Sequence, residues 1–210
     1  MRIKCRTCWL LLALLCAPFH STAQTQQTSY QVSLRELRTP IKALRDYAKG
    51  TELLAKNDAE ASLALFQRAI SEYAGYYEAY DRIGSADLKL WRITEAEQAF
   101  RKSIELSGAQ YAHPLIALGA ILDDHKNFAE AESVIRKGLS LDPDSWRGHY
   151  YLALALFGMN RLTDAEQSVR ESLRRKPDFP EAQLLLDNIR SREEDHRSVV
   201  SDLNQYRTMP

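Results

Sequence analysis

A chain of 210 residues is long enough for one ordinary domain. Its 28 Lys and Arg side chains balance 28 Asp and Glu, which gives no reason to expect nucleic acid or an anionic membrane as the main partner. All three cysteines (Cys5, Cys8, Cys16) fall in the first 23 residues, so the remainder can hold no disulfide, thiol nucleophile or cysteine-based metal site.

The N-terminus has the layout of a secretory signal. Met1 to Cys8 is basic through Arg2, Lys4 and Arg6, and Trp9 to Phe19 is an apolar run. Ser21-Thr22-Ala23 places small residues where a signal peptidase reads, so cleavage is expected after Ala23. The apolar run is too short for a spanning helix, which needs roughly 20 residues. A lipoprotein reading through Cys16 is disfavoured because Leu15 stands where a small residue is wanted. The mature chain is therefore expected to be exported, periplasmic or secreted, with no stable membrane insertion. Taking the three basic residues of the signal from 28 leaves 25 against 28 acids, a net charge of about −3.

Gln24 to Gln31 (QTQQTSYQ) is polar and aperiodic, so residues 24–39 read as a flexible linker. Val32, Leu34 and Leu37 are where packing could begin. Thr39-Pro40 then predicts a helix start, with Thr39 as N-cap and Pro40 at the first helical position. That helix should run from about Pro40 to Lys56.

From here the chain repeats. Small residues recur at Gly50, Gly84, Gly119 and Ala153, spaced 34, 35 and 34. Bulky residues keep the same register at Phe66, Phe100, Ile135 and Val169, as do Ser62, Ala96, Ala131 and Ala165. The strings TEAEQ from Thr94 and TDAEQ from Thr163 occupy equivalent places. The last copy is the clearest. Ser145 to Phe157 and Leu162 to Arg175 read as two amphipathic helices joined by Gly158–Arg161, the second stopping before Pro177. Leu152, Leu156, Leu162, Val169 and Leu173 form its apolar stripe, with Ala153, Ala165 and Ser172 small where helices approach.

A helix-turn-helix unit of this period resembles the tetratricopeptide (TPR) family. The resemblance covers Ala43–Tyr76, Tyr77–Tyr111, Ala112–Ser145 and Trp146–Phe179, with the extra residue in Ser107–Tyr111. It implies an all-α, right-handed α-solenoid of four TPR units, closed by a C-terminal capping helix over 180–192. A polar tail over 193–210 is expected to fray and become disordered. Two positions depart from the pattern. Lys49 stands where Ile83, Leu118 and Leu152 stand, consistent with an uncovered end. Asp87 replaces the leucine seen at Leu53, Leu122 and Leu156, and is expected to face solvent because an unpaired buried carboxylate is costly. Pro114 falls in a first helical turn, where it is tolerated.

No catalytic motif is present. The four histidines outside the signal (His113, His125, His149, His196) make no H-E-x-x-H. Asp123-Asp124-His125 are consecutive, so on a helix they diverge by about 100° each and cannot converge on one ion. Glu193-Glu194-Asp195-His196 reads as a solvated charge run. No G-x-S-x-G or glycine-rich phosphate loop occurs. No enzyme activity, cofactor or metal is expected.

The resemblance implies a concave groove lined by the first helix of each unit, binding a peptide or partner helix. The matching positions are Tyr47, Thr51 and Leu54 in the first unit. Glu78, Asp81, Ser85, Leu88 and Lys89 follow in the second, and His113, Ile116, Ala120 and Asp123 in the third. The fourth contributes Arg147, Tyr150, Leu154 and Phe157. Apolar ends (Tyr47, Leu54, Tyr150, Phe157) around an acidic middle (Glu78, Asp81, Asp123) would suit a ligand with apolar residues and positive charge. The alternative for Tyr150, Leu154 and Phe157 is packing against the helix after Pro180. The chaperone-tail clamp of the family does not match, because Tyr47 and Thr51 replace its Lys and Asn. The expected function is a non-catalytic, exported interaction scaffold with a protein or peptide partner. The alternative is a structural subunit of a bacterial envelope assembly, using the tails or convex face.

Overall fold

The computed structural model describes residues 39–207; the expected signal and nearly all of the expected linker lie outside them. Among the described residues there are nine α-helices and no strand. They are α1 (Ile41–Ala55), α2 (Ala59–Glu72), α3 (Tyr77–Lys89), α4 (Ile93–Leu106), α5 (Ala112–Asp124), α6 (Phe128–Leu141), α7 (Trp146–Gly158), α8 (Leu162–Arg175) and α9 (Pro180–Arg207). None is long and apolar enough to cross a membrane.

The first eight helices pair as hairpins, α1 with α2, α3 with α4, α5 with α6 and α7 with α8. Each hairpin then packs on the next, so contacts run from neighbour to neighbour, as in a solenoid. The tight turn inside each hairpin has one cause. Asn57, Trp91, Lys126 and Asn160 all take a left-handed backbone, with φ of 66°, 60°, 62° and 60°. The amide after each then donates back into the preceding helix: Asp58 to the Leu53 carbonyl, and Arg92, Asn127 and Arg161 to those of Asp87, Leu122 and Leu156.

Packing inside each hairpin is a size match. Phe66, Phe100, Ile135 and Val169 are fully buried. A Cβ added at Gly50 would lie 2.7 Å from Phe66 Cε1, one at Gly84 2.8 Å from Phe100 Cε1, and one at Gly119 2.2 Å from Ile135 Cγ1. Glycine therefore stands opposite the larger side chains. The fourth hairpin instead sets Ala153 against Val169, the smallest of the four partners. A second tie joins helix ends. Ser103 Oγ donates to the Tyr77 carbonyl and Ser172 Oγ to that of Trp146, each at 2.8 Å.

Three expectations are corrected. The N-cap of α1 is Pro40, in an extended conformation (φ −56°, ψ 136°) with no side-chain cap hydrogen bond, so Thr39 is not the cap. The helical ladder opens from the Pro40 carbonyl, which accepts from Leu44 at 3.1 Å. Asp87 is buried rather than solvent-facing, because its place in the repeat is an inward one. The Arg92 guanidinium lies 3.9 Å from its carboxylate, and burial, the largest influence, pushes its pKa up. Finally, α9 does not end near residue 192. It continues through the expected tail to Arg207. Ala182, Leu185, Leu186 and Ile189 anchor its first half on α8, and no Gly or Pro interrupts propagation from that nucleus before its end.

Candidate ligand-binding groove

The first helices of successive hairpins (α1, α3, α5, α7) follow one another along one side of the stack. Between α3, α5 and α7 lies a cavity of about 620 Å³. Six of the expected groove positions line it: Ser85, Leu88, His113, Ile116, Ala120 and Arg147. Arg82, Ala117, Trp146 and Tyr151 line it as well. Sequence reasoning missed Arg82 and Tyr151, although the repeat spacing puts them in register with Ala117, one position beyond the residues chosen.

Asp81 sits behind this cavity and not on it. Its carboxylate is fully buried, 2.6 Å from His113 Nδ1 and accepting from the Tyr111 hydroxyl at 3.4 Å. Burial first, and then the Asp81 charge, push the Tyr111 hydroxyl above its ordinary pKa, so it stays a donor. Asp81 thus orients a half-exposed imidazole that faces the cavity. For Asp81 the expected acidic middle of the groove is corrected here, because Tyr111 at the end of its own unit and His113 of the next cover the carboxylate.

The remaining positions divide. Tyr47 packs on Tyr76 at 5.0 Å and on Phe66 at 5.9 Å, and its hydroxyl accepts from Arg82 Nε at 3.5 Å, which links it to the cavity. Thr51 is half-buried, with its hydroxyl donating to the Tyr47 carbonyl. Leu54 is buried in the core with Leu63 and Phe66, so it offers no exposed groove surface. Glu78 is half-buried. Lys89 reaches back to Asn57 Oδ1 at 2.8 Å, toward the preceding turn.

Asp123 is half-buried, and its Oδ1 is shut off from solvent with no hydrogen-bond partner. Burial chiefly, with Asp124 beside it, pushes its pKa up to about 6. Tyr150 lies edge-on to Phe179 at 4.8 Å, and the Arg192 guanidinium covers Phe157 at 4.2 Å. Leu154 packs in the same cluster. For Tyr150 and Phe157 the alternative prevails: they meet α9 and its approach, because α9 stands where the first helix of a fifth unit would stand.

The charges that remain at the cavity are of both signs. Arg82 and Arg147 form no ion pair with a carboxylate among the described residues, and Arg147 lies over the Trp146 ring at 4.2 Å. Asp142 and Asp144 line the rim, where Asp144 is met by Arg175 Nε at 3.3 Å. Apolar side chains (Leu88, Ile116, Ala117, Ala120), aromatic side chains (Trp146, Tyr151) and guanidinium groups free of carboxylate partners can hold an extended or helical segment by burial and charge-assisted hydrogen bonds. Among the described residues no three His, Cys, Asp or Glu side chains come together as a metal site.

Residues 77–110 and 124–189 match models of the tetratricopeptide repeat. Among solved structures, the chain is similar to MamA (residue 41 to the end) from Desulfovibrio magneticus RS-1. The identity is 19%, covering 80% of this chain and 94% of that one, with a TM-score of 0.65. PilF of Pseudomonas aeruginosa is 18% identical over 73% of this chain and 70% of its own, with a TM-score of 0.65. YrrB, described as a TPR protein with an unusual peptide-binding site, is 17% identical over 72% and 78%, with a TM-score of 0.60. A search of curated proteins finds no match.

Proposed function

We propose that this chain of tetratricopeptide repeats is a non-catalytic, exported interaction scaffold that takes a peptide or partner helix in its concave groove. One observation carries the reading: the first helices of three successive units converge on a single cavity of about 620 Å³. A short peptide segment fits that volume, and Arg82 and Arg147, neither ion-paired with a carboxylate among the described residues, favour a ligand that brings hydrogen-bond acceptors to a lining of mixed polar and apolar side chains. Export rests on the basic, apolar and small-residue order of Met1 to Ala23.

The test compares two tagged full-length baits in the envelope fraction of the native host. One is unchanged and the other carries Ala120→Arg and Arg147→Glu, which fill and recharge the cavity. Both positions touch solvent, so helical content and melting temperature should match. A partner held by the first bait and lost from the second supports the groove; the same partner on both removes it as the site. The intact mass of the recovered protein should begin at Gln24, and retention of residues 1–23 would refute cleavage.

A further inference from the structure

The two ends of the stack carry opposite surfaces. On α1, Ala43, Asp46, Gly50 and Leu54 face inward. The opposite face shows Ile41 at 76% exposure and Leu44 at 37%, with Ala48 beside them. Arg45 and Lys49 flank this strip, and neither forms an ion pair with a described carboxylate. Their neighbours Lys42 and Lys56 do, with Glu72 and Glu52.

On α9, Ala182, Leu185, Leu186 and Ile189 face inward. Its opposite face shows Leu184 at 63% exposure, followed by Asp187, Glu194 and Asp195, all exposed and none ion-paired among the described residues. Arg190 on that side is held by Glu166 at 3.3 Å. A terminal helix that only shields a stack needs a polar outer face. Exposed Ile41 and Leu184 serve no such purpose.

From these faces we propose that the basic, apolar outer face of α1 docks on the acidic, apolar outer face of α9 in a second copy of this chain. The contact continues the helix-on-helix stacking that already joins one unit to the next. Its sign pattern excludes the symmetric alternatives: α1 on α1 would set Arg45 and Lys49 against themselves, and α9 on α9 would set carboxylate against carboxylate. A contact between unlike ends is heterologous and does not close on two copies, so it builds short chains. One helix-on-helix contact is small for an interface, so association is weak and falls with salt. The other candidate for the α1 face is this chain's own segment 24–38, which directly precedes it.

Light scattering on the processed chain, Gln24 to Pro210, tests this, from about 10 to about 500 µM and at two salt concentrations. The average mass should climb above that of one chain with concentration and fall back at high salt. Arg45→Glu with Lys49→Glu should weaken association at least about tenfold, and so should Asp187→Lys with Glu194→Lys. An equimolar mixture of those two variants should associate again, because each supplies the end that the other needs. All four substitutions lie on exposed side chains, so circular dichroism should be unchanged. A mass that stays monomeric at every concentration overturns the proposal and leaves segment 24–38 as the occupant. Variants that associate like the parent, or a mixture that fails to recover, place the contact elsewhere.

Discussion

Replacing Gly119 with alanine tests the size match that holds each hairpin together. The new Cβ would stand 2.2 Å from Ile135 Cγ1 and 2.9 Å from its Cδ1, in a fully buried contact. Forcing one extra carbon into a packed core costs about 1–3 kcal/mol. Alanine returns up to about 1 kcal/mol through its better helix propensity. The net expectation is a loss of about 1–2 kcal/mol. Ile135→Val alone should cost about 0.5–1.5 kcal/mol by removing one buried methyl. The double substitution recreates the Ala153/Val169 pair that the fourth hairpin already buries completely. Valine lacks Cδ1 but keeps the carbon at the Cγ1 position, so the double variant should recover only part of the Gly119→Ala loss, a coupling of about 0.5–1 kcal/mol. Urea unfolding followed by far-ultraviolet circular dichroism measures all four proteins, provided the slope stays constant. The reasoning fails if Gly119→Ala is as stable as the parent, or if the double variant loses the sum of the two single losses.

Two further outcomes follow from buried carboxylates. Asp81→Ala should cost about 2 kcal/mol, since it strips the partner from the Tyr111 hydroxyl and the His113 ring, and Asp81→Lys should cost about 3 kcal/mol or more. A melting temperature unchanged by Asp81→Lys would mean that the carboxylate faces the groove after all. Asp123 titrates at about 6 in the folded chain against an ordinary 3.8. The folded state holds this proton more tightly, so the group's stabilising effect is complete below about pH 4 and lost as pH rises through about 6. Asp123→Asn should thus be more stable than the parent by about 1–3 kcal/mol near neutral pH and no different near pH 4. Equal unfolding midpoints at both pH values would count against the burial assigned to Asp123.

The repeat itself was legible because it is a one-dimensional signal. Gly50, Gly84, Gly119 and Ala153 against Phe66, Phe100, Ile135 and Val169 specify which faces of two helices meet, and those faces do meet. A helix's own period decides which side chains point the same way. It does not decide what other elements bring up to cover them. Asp81 shares a register with Tyr47 and Tyr150, which stay half-exposed, yet Tyr111 and His113 close over it. Asp87 is the converse case: its place in the repeat is an inward one, and that register outweighs the cost of burying a carboxylate, with Arg92 alongside.

The far end shows the same division of labour. Local composition over residues 193–207 is polar and marks no helix, whereas the ten residues before it pack on α8 and start one that nothing then stops. Sequence alone therefore determined the unit, its period and its size-matched core, since each depends on residues within about 35 positions of one another. Only the stacked structure decided which charges are buried, which aromatic side chains belong to the groove and where the last helix ends. Each of those depends on surfaces that different units bring together.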